Sequence, residues 1–107
     1  QGVNSDLCVI VTVRGDSMAP VIPDGALVMI DCFIKTVEKT GIFAFSLGGD
    51  VFVKRIIPAA RAKDGKIPAL TLISDNPAFV PVALIGPQMK ALRITGKVRA
   101  VLNLSIE

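Results

Sequence analysis

Short apolar runs separated by turn residues dominate the chain, and this pattern predicts β-strands rather than helices. The runs of strand length are Leu7–Val13, Ala26–Asp31, Ile42–Leu47, Val51–Ile57 and Leu70–Ile73. The turn residues Gly48-Gly49-Asp50 join two of them as a predicted β-hairpin. No 3.6-residue hydrophobic period persists for the roughly 10–12 residues that a helix needs. At most, a short helical turn is expected near Ser17–Val21 or Gln88–Ala91.

The last segment alternates between apolar and polar positions, which is typical of a strand with one buried face. We expect this strand to bend at Gly96. The proline-containing stretch Pro58–Ala69 predicts an exposed loop, and Ala78–Met89 predicts irregular structure with short extended pieces. The sequence therefore predicts an all-β fold, a compact and partly closed antiparallel sheet of about six to seven strands. The apolar positions that share one parity are Leu92, Ile94, Val98, Ala100, Leu102 and Leu104, and the other parity is polar except for Val101.

Length and composition restrict the classes of function. A chain of 107 residues predicts a single domain spanning 1–107, and 51% hydrophobic residues exclude intrinsic disorder. No apolar run approaches the roughly 18 residues that cross a membrane. The 12 Lys and Arg residues are scattered and the 5 Phe residues lie mostly in apolar runs, so we expect no direct nucleic-acid binding by this chain. Because the chain opens at Gln1 rather than Met, we expect it to be a fragment that lacks an upstream part.

The absence of histidine excludes several chemistries at once. It rules out Ser-His-Asp catalysis, histidine zinc sites and an imidazole pH switch. The two cysteines, Cys8 and Cys32, lie in apolar segments and are expected to be buried free thiols. We therefore expect no metal site and no cofactor. A base that works near neutral pH has to be a lysine, a carboxylate or a thiol.

Two segments carry candidate chemistry. Ser17 follows a strand and a Gly turn, where backbone N–H groups can converge on an oxyanion, although a lone serine there more often caps a turn. Lys54 lies between Phe52 and Ile56 on one strand face. Its amine either reaches water or is desolvated, and desolvation lowers the pKa of a lysine enough for it to act as a base. A serine nucleophile without histidine needs such a base.

The residues around Ser17 and Lys54 resemble the LexA-like self-cleaving proteins. The resemblance rests on Gly15-Asp16-Ser17-Met18-Ala19-Pro20 with Ile22–Val28, and on Gly41 with Val53-Lys54-Arg55-Ile56. Two later blocks, Leu72–Pro77 and Ile94–Val98, are also similar and follow in order. The family includes the SOS repressor LexA, the UmuD polymerase accessory proteins and the C-terminal domains of phage CI-type repressors. Leader peptidases share a related fold and dyad.

The resemblance implies a role for each matching residue. Ser17 would be the nucleophile, and Lys54 the general base that then donates to the leaving amine. Gly15, Asp16 and Met18 would form the oxyanion turn with the backbone of Ser17, and Met18 would line the cleft or the core. Arg55, on the opposite strand face, is not expected to be catalytic. In the family, cleavage is stimulated by the RecA filament, and this filament or an antirepressor would be a partner here.

The resemblance leaves more than one function open. Only sixteen residues precede Ser17, and none of them forms the Ala-Gly or Cys-Gly bond that self-cleaving members cut; Gln1-Gly2 is the nearest match. Either the substrate segment lies upstream, or this member does not cleave itself. The leading interpretation is a repressor C-terminal domain that forms a homo-oligomer in the bacterial cytoplasm, away from membranes, and contacts DNA only through a missing N-terminal domain. The alternatives are an active Ser-Lys autopeptidase and a UmuD-like polymerase accessory subunit.

Overall fold

The computed structural model describes residues 7–102, with side chains from residue 9 onward. In this part of the chain the seven strands form one antiparallel sheet in the order β1-β2-β7-β3-β4-β5-β6. The all-β prediction is confirmed, and the sheet is open because β1 and β6 are its edges. The elements are β1 Leu7–Thr12, β2 Leu27–Asp31, β3 Gly41–Leu47, β4 Asp50–Pro58, β5 Ala69–Ile73, β6 Val82–Ile85, a 3-10 helix Gly86–Ala91 and β7 Leu92–Leu102.

Strand β3 lies at the centre of the sheet and buries both of its faces. Phe43 and Phe45 pack into one hydrophobic cluster with Ile56 and the apolar residues of β5, while Ala44 packs into a second cluster on the other face. A strand buried on both faces needs apolar residues at consecutive positions, which explains the unbroken apolar run of β3. The two-residue turn at Gly48 and Gly49, both with positive φ, joins β3 to β4 as the predicted hairpin.

The second cluster is built mainly from the segment between β1 and β2. Met18 and Ile22 are fully buried there against Val28 and Ile30 of β2. Backbone hydrogen bonds from Val13 to Gly25 and Ala26 join the two ends of this segment. The segment that carries Ser17 is therefore held against the sheet by its own apolar side chains.

The alternation predicted for β7 holds only in its first half. Leu92 and Ile94 pack against the core as predicted. Register shifts then occur opposite Ala44–Phe45 and Met29–Ile30, each leaving two β7 residues opposite one partner residue. The first shift turns Val98 to the face of the second cluster, and the second shift brings Val101 rather than Leu102 to that face. As a result Val101 packs against the core and Leu102 is 38% exposed, so the single-parity prediction is wrong there; Leu104 lies outside the described residues.

The structure also tests the predictions of an exposed loop, a short helical turn and free cysteines. The loop after Pro58 is exposed up to Lys66, and the 3-10 helix covers the predicted turn at Gln88–Ala91. Cys32 is disulfide-bonded, so the prediction of a free thiol at this position is wrong; the side chain of Cys8 lies outside the described part. Pairing of Leu7 with Asp31 places the two cysteine-bearing segments side by side. Among residues 7–102 no helix is long and apolar enough to cross a membrane.

Candidate active site

The turn that presents Ser17 is closed by hydrogen bonds at its base. The N–H of Val13 donates to the carbonyl of Ala26 at 2.9 Å, and the N–H of Gly15 donates to the Asp24 carboxylate at 2.8 Å. Gly15 has a φ of 88°, a conformation that favours glycine. The N–H of Gly15 is thus already used within the turn, so this glycine shapes the bend and is not an available oxyanion donor.

Met18 anchors the serine turn from below. Its side chain is fully buried in the core, and its sulfur accepts a hydrogen bond from the N–H of Asp75 at 3.4 Å. Its carbonyl accepts the N–H of Ile22 at 2.8 Å, which forms the short helical turn expected near Ser17–Val21. With Met18 fixed in this way, the adjacent Ser17 side chain lies at the surface of the turn, half-buried.

Lys54 reaches the serine from β4. Its Nζ donates to Ser17 Oγ at 2.9 Å and to Ser74 Oγ at 2.8 Å, and it lies 5.5 Å from the centre of the Phe79 ring. Burial lowers the pKa of Lys54 below the ordinary value of 10.5, because removal from water disfavours the ammonium form. The side chain therefore does not extend into water, which was one of the two possibilities for a lysine on this face.

A third segment, directly after β5, completes the site. Ser74 is buried and bonded to Lys54. The N–H of Asn76 donates to the carbonyl of Ser17, and its side-chain amide donates to the carbonyl of Asp16, each at 3.0 Å. This segment is one of the blocks that resemble the LexA-like proteins, but no role was predicted for its residues. The signal was present, because four polar or turn residues follow a buried strand at Ser74–Pro77.

Arg55 connects the same segment to β4. Its Nε and NH2 donate to the two carboxylate oxygens of Asp75 at 2.9 and 2.8 Å. The hydrogen bond with Asp75 raises the pKa of Arg55, so the guanidinium of Arg55 stays charged. Arg55 points away from the Ser17–Lys54 contact, as the strand pattern predicts, and holds the Ser74 segment against the strand that carries Lys54.

Two comparisons with known proteins show what this chain is similar to. A family model described as Peptidase S24-like matches residues 2–99. The chain belongs to the Peptidase S24-like family. It is also 31% identical over 98 residues to a protein of Haemophilus influenzae described as an uncharacterized HTH-type transcriptional regulator. That match covers 91% of this chain but only 38% of the relative.

The geometry brings together residues that the sequence singled out. The structure brings Ser17 and Lys54 into contact and places Gly15, Asp16 and Met18 in the turn that supports the serine. The catalytic roles of these residues stay predictions. Within residues 7–102, no group of three or more His, Cys, Asp or Glu side chains is arranged to hold a metal ion.

Two clefts open on either side of Lys54. The serine cleft, of about 350 Å³, contains Ser17, and its lining includes Val11 of β1, Val13 directly after β1 and Val53 of β4. The Phe79 cleft, of about 210 Å³, contains Ser74 in place of Ser17. The two clefts share Phe52 and Lys54. The lining of the Phe79 cleft also includes Phe45, Leu72, Phe79, Val80 and Val82.

Proposed function

We propose that this chain is the C-terminal domain of a repressor-type transcriptional regulator and that Ser17 and Lys54 cleave a peptide bond of the same polypeptide. The contact of 2.9 Å between Ser17 Oγ and a lysine amine whose pKa is lowered by burial carries the proposal. Membership of a peptidase family and a relative described as an HTH-type regulator support it. The chain spans 38% of that relative's length, so a DNA-binding part belongs to the proposal.

The proposed reaction begins with neutral Lys54. Its Nζ accepts the proton of Ser17 Oγ while Oγ attacks the carbonyl carbon of the scissile bond. In the described residues the backbone N–H groups of Ser17 and Met18 have no internal acceptor, so they are available for the oxyanion. The Lys54 ammonium then donates its proton to the leaving nitrogen and the C–N bond breaks. Water, deprotonated by Lys54, releases the acyl group from Ser17.

Ser74 has a positioning role in this mechanism. When Lys54 is neutral it has two N–H donors and one lone pair, and the lone pair must face Ser17 Oγ. Donation of one N–H to Ser74 Oγ at 2.8 Å orients the amine in this way. Because Ser74 is buried and follows a paired strand, its hydroxyl is held in place by the fold.

The pH dependence of self-cleavage tests the proposal. We expect the full-length protein to cleave itself upstream of Ser17 at a rate that rises with pH, because only the neutral form of Lys54 accepts a proton. Burial lowers the pKa of Lys54, so the rate levels off below pH 10.5. Gel electrophoresis and mass spectrometry between about pH 6 and pH 11 measure this profile. An intact protein at every pH contradicts the peptidase proposal and leaves the regulator proposal standing.

A second function, self-association, is favoured by the outer face of the sheet at β1, β2 and β7. Cross-strand partners in an antiparallel sheet point to the same side. Ile10 therefore lies beside Met29 and Ala100, and Thr12 beside Leu27 and Leu102. We call these six residues the outer row. Ile10 is 53% exposed and Leu102 38%, so apolar surface is left in water there.

The outer row is suited to contact with the outer row of a second copy of this chain. The row carries no charged residue, so two identical copies can face each other across a two-fold axis without like-charge repulsion. Helix-turn-helix domains bind the two halves of an operator as dimers, and joining them raises the effective concentration of the second domain. Self-association through the outer row would thus support operator binding by a regulator.

We expect Ile10→Asp to raise the dissociation constant of a dimer by at least about tenfold, because a carboxylate would be desolvated in the contact. Sedimentation at several protein concentrations measures this constant. Ile85→Asp is the matched control, since Ile85 is 60% exposed on the strand at the opposite edge of the sheet. A wild-type chain that remains monomeric at high micromolar concentration, or equal effects of both variants, argues against the outer row as the interface.

A further inference from the structure

Lys54 lies between two clefts. Its position separates the part of the substrate site that holds residues before the scissile bond from the part that holds residues after it. In acyl transfer, the residue before the scissile bond stays attached to Ser17 Oγ, so its side chain belongs in the cleft that contains Ser17. The leaving nitrogen takes its proton from Lys54 Nζ and must lie within hydrogen-bond distance of it. The chain that follows this nitrogen then continues past Lys54. On that side, Nζ contacts Ser74, which lines the Phe79 cleft.

The lining of the Phe79 cleft selects for apolar groups. Among its described lining residues, Lys54 carries the only charge, and the amine and Ser74 Oγ are already bonded to each other. The remaining lining side chains are apolar. A cavity of about 150 Å³ binds benzene, and this cleft measures about 210 Å³. It therefore has room for a leucine or phenylalanine side chain.

The outer wall of the cleft leaves apolar surface in water. Phe79 is 42% exposed, Val80 82% and Val82 49%. The backbone of this wall is tied to the serine turn, because the N–H of Phe79 donates to the carbonyl of Asn76, whose own N–H donates to the carbonyl of Ser17. An apolar side chain in the cleft would remove these residues from water and lie at a defined position relative to Ser17.

Building on the proposed self-cleavage, we infer that the Phe79 cleft is the subsite for an apolar side chain in the first two residues after the scissile bond. An extended chain rises about 3.3 Å per residue, so residues further along would lie beyond a cleft that begins at Lys54. Val80 and Phe79 are the specificity-determining residues, and the preferred substrate carries a large apolar residue at one of the first two positions on the leaving side.

Binding of short amides to the 107-residue chain tests the subsite independently of catalysis. The probes are Leu-Gly-amide and Gly-Leu-amide, compared with Asp-Gly-amide and Gly-Asp-amide, and the readout is the backbone amide spectrum. We expect at least one leucine probe to shift the signals of Phe79, Val80 and Val82 and to bind at least about tenfold more tightly than its aspartate counterpart. Val80→Asp should remove this preference, whereas Ile85→Asp, outside the cleft, should keep it. Equal binding of both sets, or shifts confined to the serine cleft, overturns the inference.

Self-cleavage of the full-length protein provides the second readout. Once mass spectrometry has located the scissile bond, replacing the apolar residue after it by aspartate should slow cleavage about tenfold or more, and Val80→Lys should restore most of the rate to that variant. Ile85→Lys should not restore it. Cleavage that tolerates aspartate without loss overturns the subsite and leaves the peptidase proposal intact. Leucine-specific binding without any cleavage overturns the peptidase proposal and, with it, the assignment of this cleft to a leaving group.

Discussion

Ser17→Ala and Lys54→Ala should each reduce the rate of self-cleavage of the full-length protein by at least about a thousandfold. The first variant lacks the atom that forms the acyl bond, and the second lacks the one base among residues 7–102 that contacts this atom. Because the two residues act as a unit, the double variant should be no slower than either single one. Appearance of the smaller fragment over time, at the alkaline pH where the wild type is fastest, measures the three rates.

Further substitutions separate catalysis from folding. Lys54→Arg keeps a positive charge but cannot deprotonate, so it should be as inactive as the alanine variant. Ser74→Ala should slow cleavage roughly 10–100-fold through loss of lysine orientation, and Ser74→Thr, which keeps the hydroxyl, should recover most of the rate. Ser46→Ala, at a half-buried position next to the end of β3, is the matched serine control. Cleavage that persists in Ser17→Ala would contradict the assignment of the nucleophile.

Gly96→Ala should lower the free energy of unfolding by about 3 kcal/mol. Gly96 is buried in β7 opposite Ala44, and a Cβ there would lie 2.4 Å from the carbonyl oxygen of Asp31 and 2.6 Å from Cγ2 of Ile30. Backbone atoms cannot move aside as a side chain can, so β2 and β7 would have to separate. Domains of this size are stable by roughly 5–15 kcal/mol, so the loss is a large fraction of the total.

Chemical denaturation measures the free energy of unfolding of the Gly96→Ala variant. In thermal denaturation, its melting temperature should fall by roughly 10–20 °C. Gly41→Ala is the matched strand control. Its Cβ would lie 3.0 Å from Cε of Lys97 and 3.3 Å from the Phe43 ring, and the lysine side chain can shift. We expect this control to cost less than about 1 kcal/mol. A Gly96→Ala variant as stable as the control would contradict the close packing of β2 against β7.

The strands were predictable because their signals are local. Apolar runs between turn residues identified the strands from β1 to β5, and the alternation around Ile94 identified β7. The faces of β7 were not predictable beyond Gly96. Two register shifts reverse the side chains there, and they depend on the neighbouring strands β2 and β3. This is why Val101, the one exception to the alternation, is the residue that packs against the core.

The candidate site was likewise predictable only in part. The residue types and the absence of histidine point to Ser17 and Lys54, because a desolvated lysine is the base that the strand pattern offers the serine. Ser74 and Asp75 gave only the general signal of polar residues after a buried strand. A serine and an aspartate after a strand are ordinary turn residues, and their roles come from contacts with Lys54 and Arg55.

The sequence by itself determined the all-β class and the turn that carries Ser17, and it predicted a serine and a lysine as the candidate dyad. Those properties follow from local alternation and from the chemistry of single side chains. Only the tertiary structure decided that Ser17 and Lys54 lie 2.9 Å apart, that Ser74 is bonded to the lysine, and that an apolar cleft opens beyond it. The physical reason is that three segments far apart in the chain meet there, and their distances depend on the strand order and register of the sheet.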